Sequence, residues 1–270
     1  MLISNLDDLY FSQSALAIYQ KCPLKFRYRY LDSLYWPQDW GGNAEQRELI
    51  EKGQLFHQLA QRYYARGETI AGELLTGELK EWFLELKKFR PFNEEDYFYP
   101  EYELRLNKEG LKLMAKFDLL YLDKSTGRLI IYDWKTNKRP FSKKSDFENN
   151  MQTIVYLYVL QEGVLDYFSF TEKEITGLKL VYWNPRFPGD IKGVNYSQER
   201  FSKDRVLLAD IINEIKALEH DEFRGIDDDK TCRYCEYRPI CYGKNPELLE
   251  IEEEDLELEL DWEAIDEIEF

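Results

Sequence analysis

The chain has 270 residues, of which 44% are hydrophobic and 16% aromatic, so it can form one large domain with a full core and is too apolar to be wholly disordered. Its formal net charge of −16 argues, at first, against a polyanionic partner. No run approaches the roughly 18 apolar residues of a membrane span, and MLISNLDDLY lacks the basic and apolar regions of a signal peptide. We therefore expect a soluble cytoplasmic protein with no membrane partner.

Helical patterns come first along the chain. Ser12 is placed to cap a helix that ends near Cys22-Pro23, and the amphipathic segment LKFRYRYL follows at residues 24–31. Longer helices are predicted over residues 44–66 and 78–89. The basic and aromatic residues at 24–30 would suit the stacking of bases from a single nucleic-acid strand, and an ordinary amphipathic helix is the alternative.

The hydrophobic period then changes to that of β-strands. Turn signals separate the β-rich runs, and the predicted strands are 99–106, 111–122, 128–135, 177–183 and 191–196. Helical spacing returns at residues 147–161 and 198–220. This order predicts an α/β (α+β) fold with a central mixed β-sheet flanked by helices.

The stretch IIYDWKTNKRP, residues 130–140, ends the third predicted strand with an acid and an amine on one face. Because side chains alternate along a strand, Asp133 and Lys135 point one way and Trp134 the other. A solvated strand face would have the same pattern. Four basic residues lie just beyond the strand and would suit contacts to phosphate groups, and they are Lys138, Arg139, Lys143 and Lys144.

The preceding strand offers a partner for Asp133. A four-residue turn at 124–127 sets a register in which Asp118 lies opposite Asp133, with Cβ atoms about 5 Å apart. Two facing carboxylates repel unless a cation lies between them. Magnesium and manganese are hard ions that prefer carboxylate oxygens, so we expect one of them here.

This hairpin resembles the PD-(D/E)XK nuclease superfamily, with Asp118 as the isolated acid and Asp133-Trp134-Lys135 as DxK. Two further stretches are similar to motifs of its RecB-like exonuclease branch. Gln152 and Tyr156 match QxxxY, and residues 53–57 match GxxxH. Members of an i, i+4 pair share one helical face, as those motifs require.

Three further residues bear on the resemblance: one matches the family pattern, one departs from it, and one has an alternative interpretation. Glu101 lies in the strand before the hairpin, where the family often has a further acid. Lys116 stands two residues before Asp118, where the family usually has glycine. His57 is one of two histidines, and its alternative interpretation is a packed or surface residue with no metal.

The resemblance implies a restriction-endonuclease-like core and hydrolysis of a phosphodiester by a Mg²⁺- or Mn²⁺-dependent enzyme. The implied metal ligands are His57, Asp118, Asp133 and the main-chain carbonyl of Trp134. The implied catalytic residues are Asp118, Asp133, Lys135, Gln152, Tyr156 and Glu101. Lys135 would stabilise negative charge, orient the attacking water or serve as its base.

Four cysteines are divided between the two ends of the chain. Cys22 is early, whereas Cys232, Cys235 and Cys241 form C-x2-C-x5-C. In a cytosolic chain this grouping favours a metal over disulfides, although unlinked buried thiols are the alternative. Four thiolates suit zinc or a [4Fe–4S] cluster, and spacing does not decide between them.

The cysteine pattern is similar to that of the iron–sulfur members of the same branch, which include CRISPR adaptation nucleases. That resemblance implies a structural [4Fe–4S] cluster that joins the N- and C-terminal segments, with structural Zn²⁺ as the alternative. The implied function is a DNA exonuclease on single strands or ends, in DNA repair, recombination or CRISPR adaptation. A helicase or CRISPR adaptation proteins are the implied partners.

Two other functions fit the sequence. The first is a catalytically silent DNA-binding or assembly subunit, against which the intact set of His57, Asp118, Asp133 and Lys135 argues. The second is a structure-specific or RNA nuclease with the same fold.

The negative charge is concentrated in a tail. Residues 247–270 contain 13 acidic residues and no Lys or Arg, which leaves 39 acidic against 36 basic residues in the body. A nucleic-acid partner therefore remains open if the basic residues cluster. We predict a nuclease domain at 1–245 and an acidic tail at 246–270. The tail is either a solubilising segment, a segment that docks on a partner, or a competitor with DNA for the basic groove.

Overall fold

The computed structural model describes most of the chain in five ranges. These are residues 6–34, 44–66, 75–168, 175–233 and 235–244, without the side chains of residues 44–47. The acidic tail predicted for residues 246–270 lies outside the described residues.

The helices begin where local capping chemistry favours them. The Ser12 hydroxyl accepts a hydrogen bond from the Ala15 amide (3.2 Å), so the first helix starts as predicted. The α-helices are α1 (Gln13–Lys21), α2 (Pro23–Phe26), α3 (Ala44–Arg66), α4 (Gly77–Phe89), α5 (Lys144–Glu148), α6 (Met151–Tyr167), α7 (Gln198–Ala217), α8 (Asp229–Arg233) and α9 (Arg238–Tyr242). A 3₁₀ turn (Leu6–Asp8) precedes α1, and a π-helical turn (Arg27–Leu31) follows α2. Within the described ranges, no helix is both long and apolar enough to cross a membrane.

Two predicted helices have different bounds in the structure. The helix predicted over 147–161 is divided between α5 and α6, because the side chain of Asn150 accepts from the Thr153 amide (2.7 Å) and starts a new helix. The helix predicted over 198–220 ends at Ala217, and His220 lies in a separate 3₁₀ turn.

The strands form one mixed sheet in the order β1-β2-β3-β4-β5. Their bounds are β1 (Tyr97–Lys108), β2 (Leu111–Asp123), β3 (Arg128–Trp134), β4 (Gly177–Trp183) and β5 (Ile191–Tyr196). Of the four strand pairs in the described ranges, only β3–β4 is parallel, and α5 and α6 lie in the connection between these two strands. The predicted α+β class with a mixed, helix-flanked sheet is confirmed.

Each face of the sheet has its own hydrophobic core. Helices α1, α6 and α7 pack on one face around residues such as Phe117 and Ile131. Helices α3 and α4 cover the other face, where Phe56 and Trp134 are buried. Side chains from the helices on both faces can therefore reach a gap between two strands of the sheet.

The β2–β3 ladder has the predicted register and ends early. It pairs Leu119 with Tyr132 and stops there, one residue before Asp118 and Asp133. Strand β3 nevertheless pairs with β4 over its whole length. The sheet therefore opens between β2 and β3 at the position of the two predicted carboxylates.

The β1–β2 ladder is also interrupted at Asp118. Glu101, which the register places opposite Asp118, has left-handed backbone geometry (φ 50°) and no paired partner in the ladder. On β2, Phe117 and Leu120 both join the core under α6, although residues three apart on a regular strand face opposite sides. Both strands are thus distorted at one position, which carries two acids.

Candidate active site and cysteine cavity

Three potential metal ligands meet where β1 and β2 are distorted. One ligand atom from each of His57, Glu101 and Asp118 lies within 4.8 Å of the others. The imidazole Nδ1 of His57 is 3.3 Å from Oδ1 of Asp118. Two carboxylates and an imidazole form a donor set that fits a divalent ion such as Mn²⁺.

Asp118 also bridges the opening between the two strands. Its Oδ2 accepts a hydrogen bond from the Trp134 amide at 2.7 Å, in the place where the backbone ladder has ended. The backbone of the DxK segment is therefore held by the isolated acid, and Asp118 is linked both to His57 on α3 and to β3.

The proximity of these groups shifts their pKa values. Burial alone would lower the pKa of His57, but Asp118, Glu101 and Asp133 outweigh it and raise that pKa to about 9. Burial raises the pKa of Asp118, but His57, the Trp134 amide and Lys135 outweigh it and lower the pKa overall. Burial and the nearby Asp118 raise the pKa of Glu101. Without a metal, His57 is therefore a cation at neutral pH.

Asp133 and Lys135 form a second group on the side of α6. Asp133 is buried, and its Oδ2 is 3.0 Å from the Lys135 Nζ. Gln152 donates from Nε2 to Asp133 Oδ1 at 2.8 Å, and its Oε1 is 3.5 Å from the Lys135 Nζ. Tyr156 is buried beneath Gln152, and burial keeps the pKa of its phenol well above the usual value.

The ligand group differs in two respects from the set inferred from the sequence. Glu101, which was expected to be catalytic only, belongs to the group within 4.8 Å. Asp133 does not belong to it, and contacts Lys135 and Gln152 instead. The signal for Glu101 was available, because a two-residue turn at Glu109-Gly110 sets the register that places Glu101 opposite Asp118.

Sequence reasoning missed two side chains, Asn184 and Arg186, that hydrogen-bond to the backbone of the segment after Lys135. We call this pair of residues the bracket. The buried Asn184 donates from Nδ2 to the Asn137 carbonyl (2.9 Å), and Arg186 donates from Nε to the Thr136 carbonyl (2.9 Å). The Arg186 guanidinium also pairs with Glu78 of α4. The bracket fixes the backbone immediately after the lysine, and no local sequence signal connects these distant residues.

The basic residues predicted to contact DNA are exposed beyond the end of β3, and they are Lys138, Arg139, Lys143 and Lys144. Lys144 lies 3.2 Å from Glu148 within α5. Their contact with DNA stays a prediction.

The base-stacking surface proposed for residues 24–30 is wrong for part of its length. Lys25 is buried and pairs with the buried Glu236 at 2.9 Å. Phe26 is fully buried and packs against Phe223. These two side chains contact the C-terminal segment instead of facing solvent, and the segment is divided between α2 and a π-helical turn at Arg27–Leu31 rather than forming one amphipathic helix.

The four cysteines line one cavity of about 490 Å³, and they are Cys22, Cys232, Cys235 and Cys241. Cys22 lies at the junction of α1 and α2, and the other three come from the region of α8 and α9. All four are free thiols. The fold therefore brings the early cysteine to the late triplet.

Four thiols around one cavity are a candidate set of ligands for a metal centre. Four sulfurs at about 2.3 Å from a single zinc ion would lie about 3.8 Å apart. Among the described side chains, no three cysteine sulfurs lie within 4.8 Å of one another. Burial, followed by Glu236, raises the pKa of Cys235 to about 12, so its thiolate needs a nearby cation.

Protein contacts also join the two segments that carry the cysteines. The Tyr237 hydroxyl donates to the Leu34 carbonyl at 2.7 Å, and the Leu24 amide donates to the Arg224 carbonyl at 3.2 Å. With the Lys25–Glu236 pair, these bonds hold the cavity walls together.

Comparisons with known proteins agree with this geometry. A family model for the PD-(D/E)XK nuclease superfamily matches residues 10–242. The crystal structure of a protein named as a putative exonuclease from Eubacterium rectale superposes over 92% of both chains, with a TM-score of 0.52 and 11% identity, which is a likeness of fold. SSO0001 aligns over 87% of both chains at 17% identity, but its TM-score of 0.36 carries no argument. No curated protein matches the sequence.

Proposed function

The chain belongs to the PD-(D/E)XK nuclease superfamily, and on that premise we propose that it is a metal-dependent deoxyribonuclease acting on single strands or DNA ends. One observation carries the proposal: the His57, Glu101 and Asp118 ligand group lies beside the Asp133–Lys135 pair where the sheet opens. The name of the Eubacterium rectale protein supports the choice of an exonuclease.

The metal would be held by the side chains whose donors already converge. These are His57, Glu101 and Asp118, with Asp133 and the Trp134 carbonyl as the further ligands that the family resemblance implies. When bound, a divalent ion polarises a phosphoryl oxygen and lowers the pKa of a bound water. The Trp134 amide keeps Asp118 oriented by donating to the oxygen that does not face His57.

Lys135 would stabilise the negative charge that develops on the phosphoryl group. Its ion pair with Asp133 and its contact with Gln152 hold the ammonium at the opening of the sheet. Gln152 positions both partners, because its amide nitrogen binds Asp133 while its oxygen faces Lys135. The buried Tyr156 supports Gln152 from the core side.

The substrate strand would be held by exposed cations around the opening. Lys138 and Arg139 follow the segment that Asn184 and Arg186 fix, so their positions relative to Lys135 are constrained. Phosphate contacts of this kind determine orientation and carry no sequence information. We therefore expect little dependence on DNA sequence.

We also propose that the four cysteines hold a structural [4Fe–4S] cluster. The convergence of the four cysteines on one cavity supports a shared metal centre, and the family resemblance favours a cluster over a single zinc ion. Ligation by Cys22 and the C-terminal triplet would close a loop of more than 200 residues. Closing so long a loop costs chain entropy, and the free energy of metal ligation would offset that cost.

The function is tested with end-labelled oligonucleotides in Mn²⁺ or Mg²⁺, with metal-free reactions as controls. We expect metal-dependent shortening of linear single-stranded DNA, while a circular single strand of the same sequence resists. Cleavage of the circle would indicate an endonuclease, and cleavage of RNA alone would indicate an RNA nuclease. Binding without cleavage in either metal would favour the silent DNA-binding subunit.

A further inference from the structure

A second lysine lies beside the ligand group, and the mechanism above does not use it. Lys116 is on β2, two residues before Asp118 and next to the position where the strand is distorted. Its Nζ is 3.2 Å from Oε2 of Glu101, and its side chain is 37% exposed. Lys116 therefore contacts a candidate metal ligand, Glu101, whereas Lys135 pairs with Asp133.

The formal charges suggest what Lys116 supplies. Three carboxylates, from Glu101, Asp118 and Asp133, are opposed by the two lysines. A divalent ion held with neutral His57 would bring the whole site to about one net positive charge, which complements a phosphodiester. Without Lys116, the same metal-loaded site would be neutral.

Glu101 is shared between Lys116 and the ligand group. Its carboxylate forms the ion pair with Lys116 and also offers an oxygen within 4.8 Å of the His57 and Asp118 ligand atoms. A divalent ion draws electron density from this carboxylate and weakens its attraction for the ammonium. The partly exposed ammonium is then available to another anion.

We propose that Lys116 binds a non-bridging oxygen of a substrate phosphate beside the cleavage site, and does so only once a divalent metal occupies the His57, Glu101 and Asp118 ligands. The inference rests on the proposed nuclease function. An ammonium on a flexible stem is suited to such a contact, because it binds phosphate as a point charge without fixed geometry.

The test compares K116Q with K112Q, both in a Lys135→Gln background that lacks the cleavage lysine. Lys112 is a matched control because it is on the same regular face of β2, four residues or about 13 Å away. Fluorescence anisotropy measures binding of a labelled single-stranded DNA with saturating Mn²⁺ and without metal.

We expect K116Q to weaken binding about tenfold in Mn²⁺ and less than twofold without metal. The slope of log affinity against log salt should fall by about one in Mn²⁺. K112Q should have the same small effect in both conditions, and K116R should retain most of the affinity.

Equal losses with and without Mn²⁺, or a loss in K116Q no larger than that in K112Q, would overturn the proposal. Failure of the nuclease function is seen separately, as absence of cleavage by the unmodified enzyme. The binding comparison reports on Lys116 in either case, because it does not depend on turnover.

Discussion

Gly53 of α3 lies directly against the side chain of Thr136, and a Cβ at position 53 would stand only 2.9 Å from the Thr136 Oγ1. His57 follows Gly53 by one helical turn, and Thr136 follows Lys135 by one residue. The contact therefore sets the distance between the helix that carries a metal ligand and the strand that carries the catalytic lysine.

Gly53→Ala should lower turnover about tenfold or more while the protein stays folded. The added methyl group must displace Thr136 or α3, and small displacements of reacting groups are costly. Gly163→Ala is the matched control, because the nearest atom to a Cβ in that helix is 3.6 Å away. Steady-state kinetics on single-stranded DNA compare the two; wild-type kcat in Gly53→Ala would show that the close contact has no functional role.

Asn184→Ala should destabilise the fold by about 1–3 kcal/mol, because it leaves the buried Asn137 carbonyl without this donor. It should also lower kcat, since the backbone after Lys135 loses part of its bracket. The Mn²⁺ affinity should change little, because the ligand group lies on other elements.

Denaturant unfolding and Mn²⁺ titration measure these effects. Asn195→Ala is the control, because that side chain is exposed on β5. If Asn184→Ala weakens Mn²⁺ binding as strongly as it reduces kcat, the bracket does not position Lys135 independently of the metal ligands.

Mn²⁺ affinity should rise with pH. The pKa of His57 is about 9 in the metal-free site, so a metal must displace its proton at neutral pH. Below pH 9 the apparent affinity should fall about tenfold per pH unit, as expected for release of one proton. The raised pKa also stabilises the metal-free fold below about pH 6.5, and this contribution is lost as the pH rises through 9.

Calorimetric titration in two buffers of different ionisation enthalpy counts the released protons. His57→Gln should bind more weakly with a flatter pH dependence, whereas His220→Gln, the exposed second histidine, should match wild type. An affinity that is independent of pH between 6 and 8 would contradict His57 as a ligand.

The sequence predicted the β2–β3 register because turn chemistry fixes it. The turn before Arg128 and the one at Glu109-Gly110 each determine which residues face one another across their hairpins. Helix bounds failed where a local cap intervened, as at Asn150, which also matches an ordinary polar position in a helix. Local patterns thus gave the sheet and most helices.

The rest of the site depends on long-range packing. No periodicity indicates that Glu101 adopts a left-handed backbone or that the β2–β3 ladder ends one residue before its acids. The contacts of Asn184 and Lys25 join residues far apart in sequence. Such pairs become visible only when the fold has brought them together.

Cys22→Ser should lower stability and reduce iron content when the protein is purified without oxygen. Removing one of four thiol ligands weakens a centre that joins both ends of the domain. Metal analysis and the visible absorption spectrum of anaerobic protein measure the effect. A colourless wild-type protein with one tightly bound zinc ion would contradict the [4Fe–4S] assignment.

The most direct test of the active-site assignment is cleavage of end-labelled single-stranded DNA in Mn²⁺ by wild type, Asp133→Asn and Lys135→Ala. Thermal unfolding of all three proteins controls for loss of structure. Wild type should shorten the DNA, and both variants should remain folded and lose at least about a hundredfold in rate. Lys135 acts on the reacting phosphate, and Asp133 holds Lys135 and is an implied metal ligand. Wild-type turnover in either variant would contradict the assigned site.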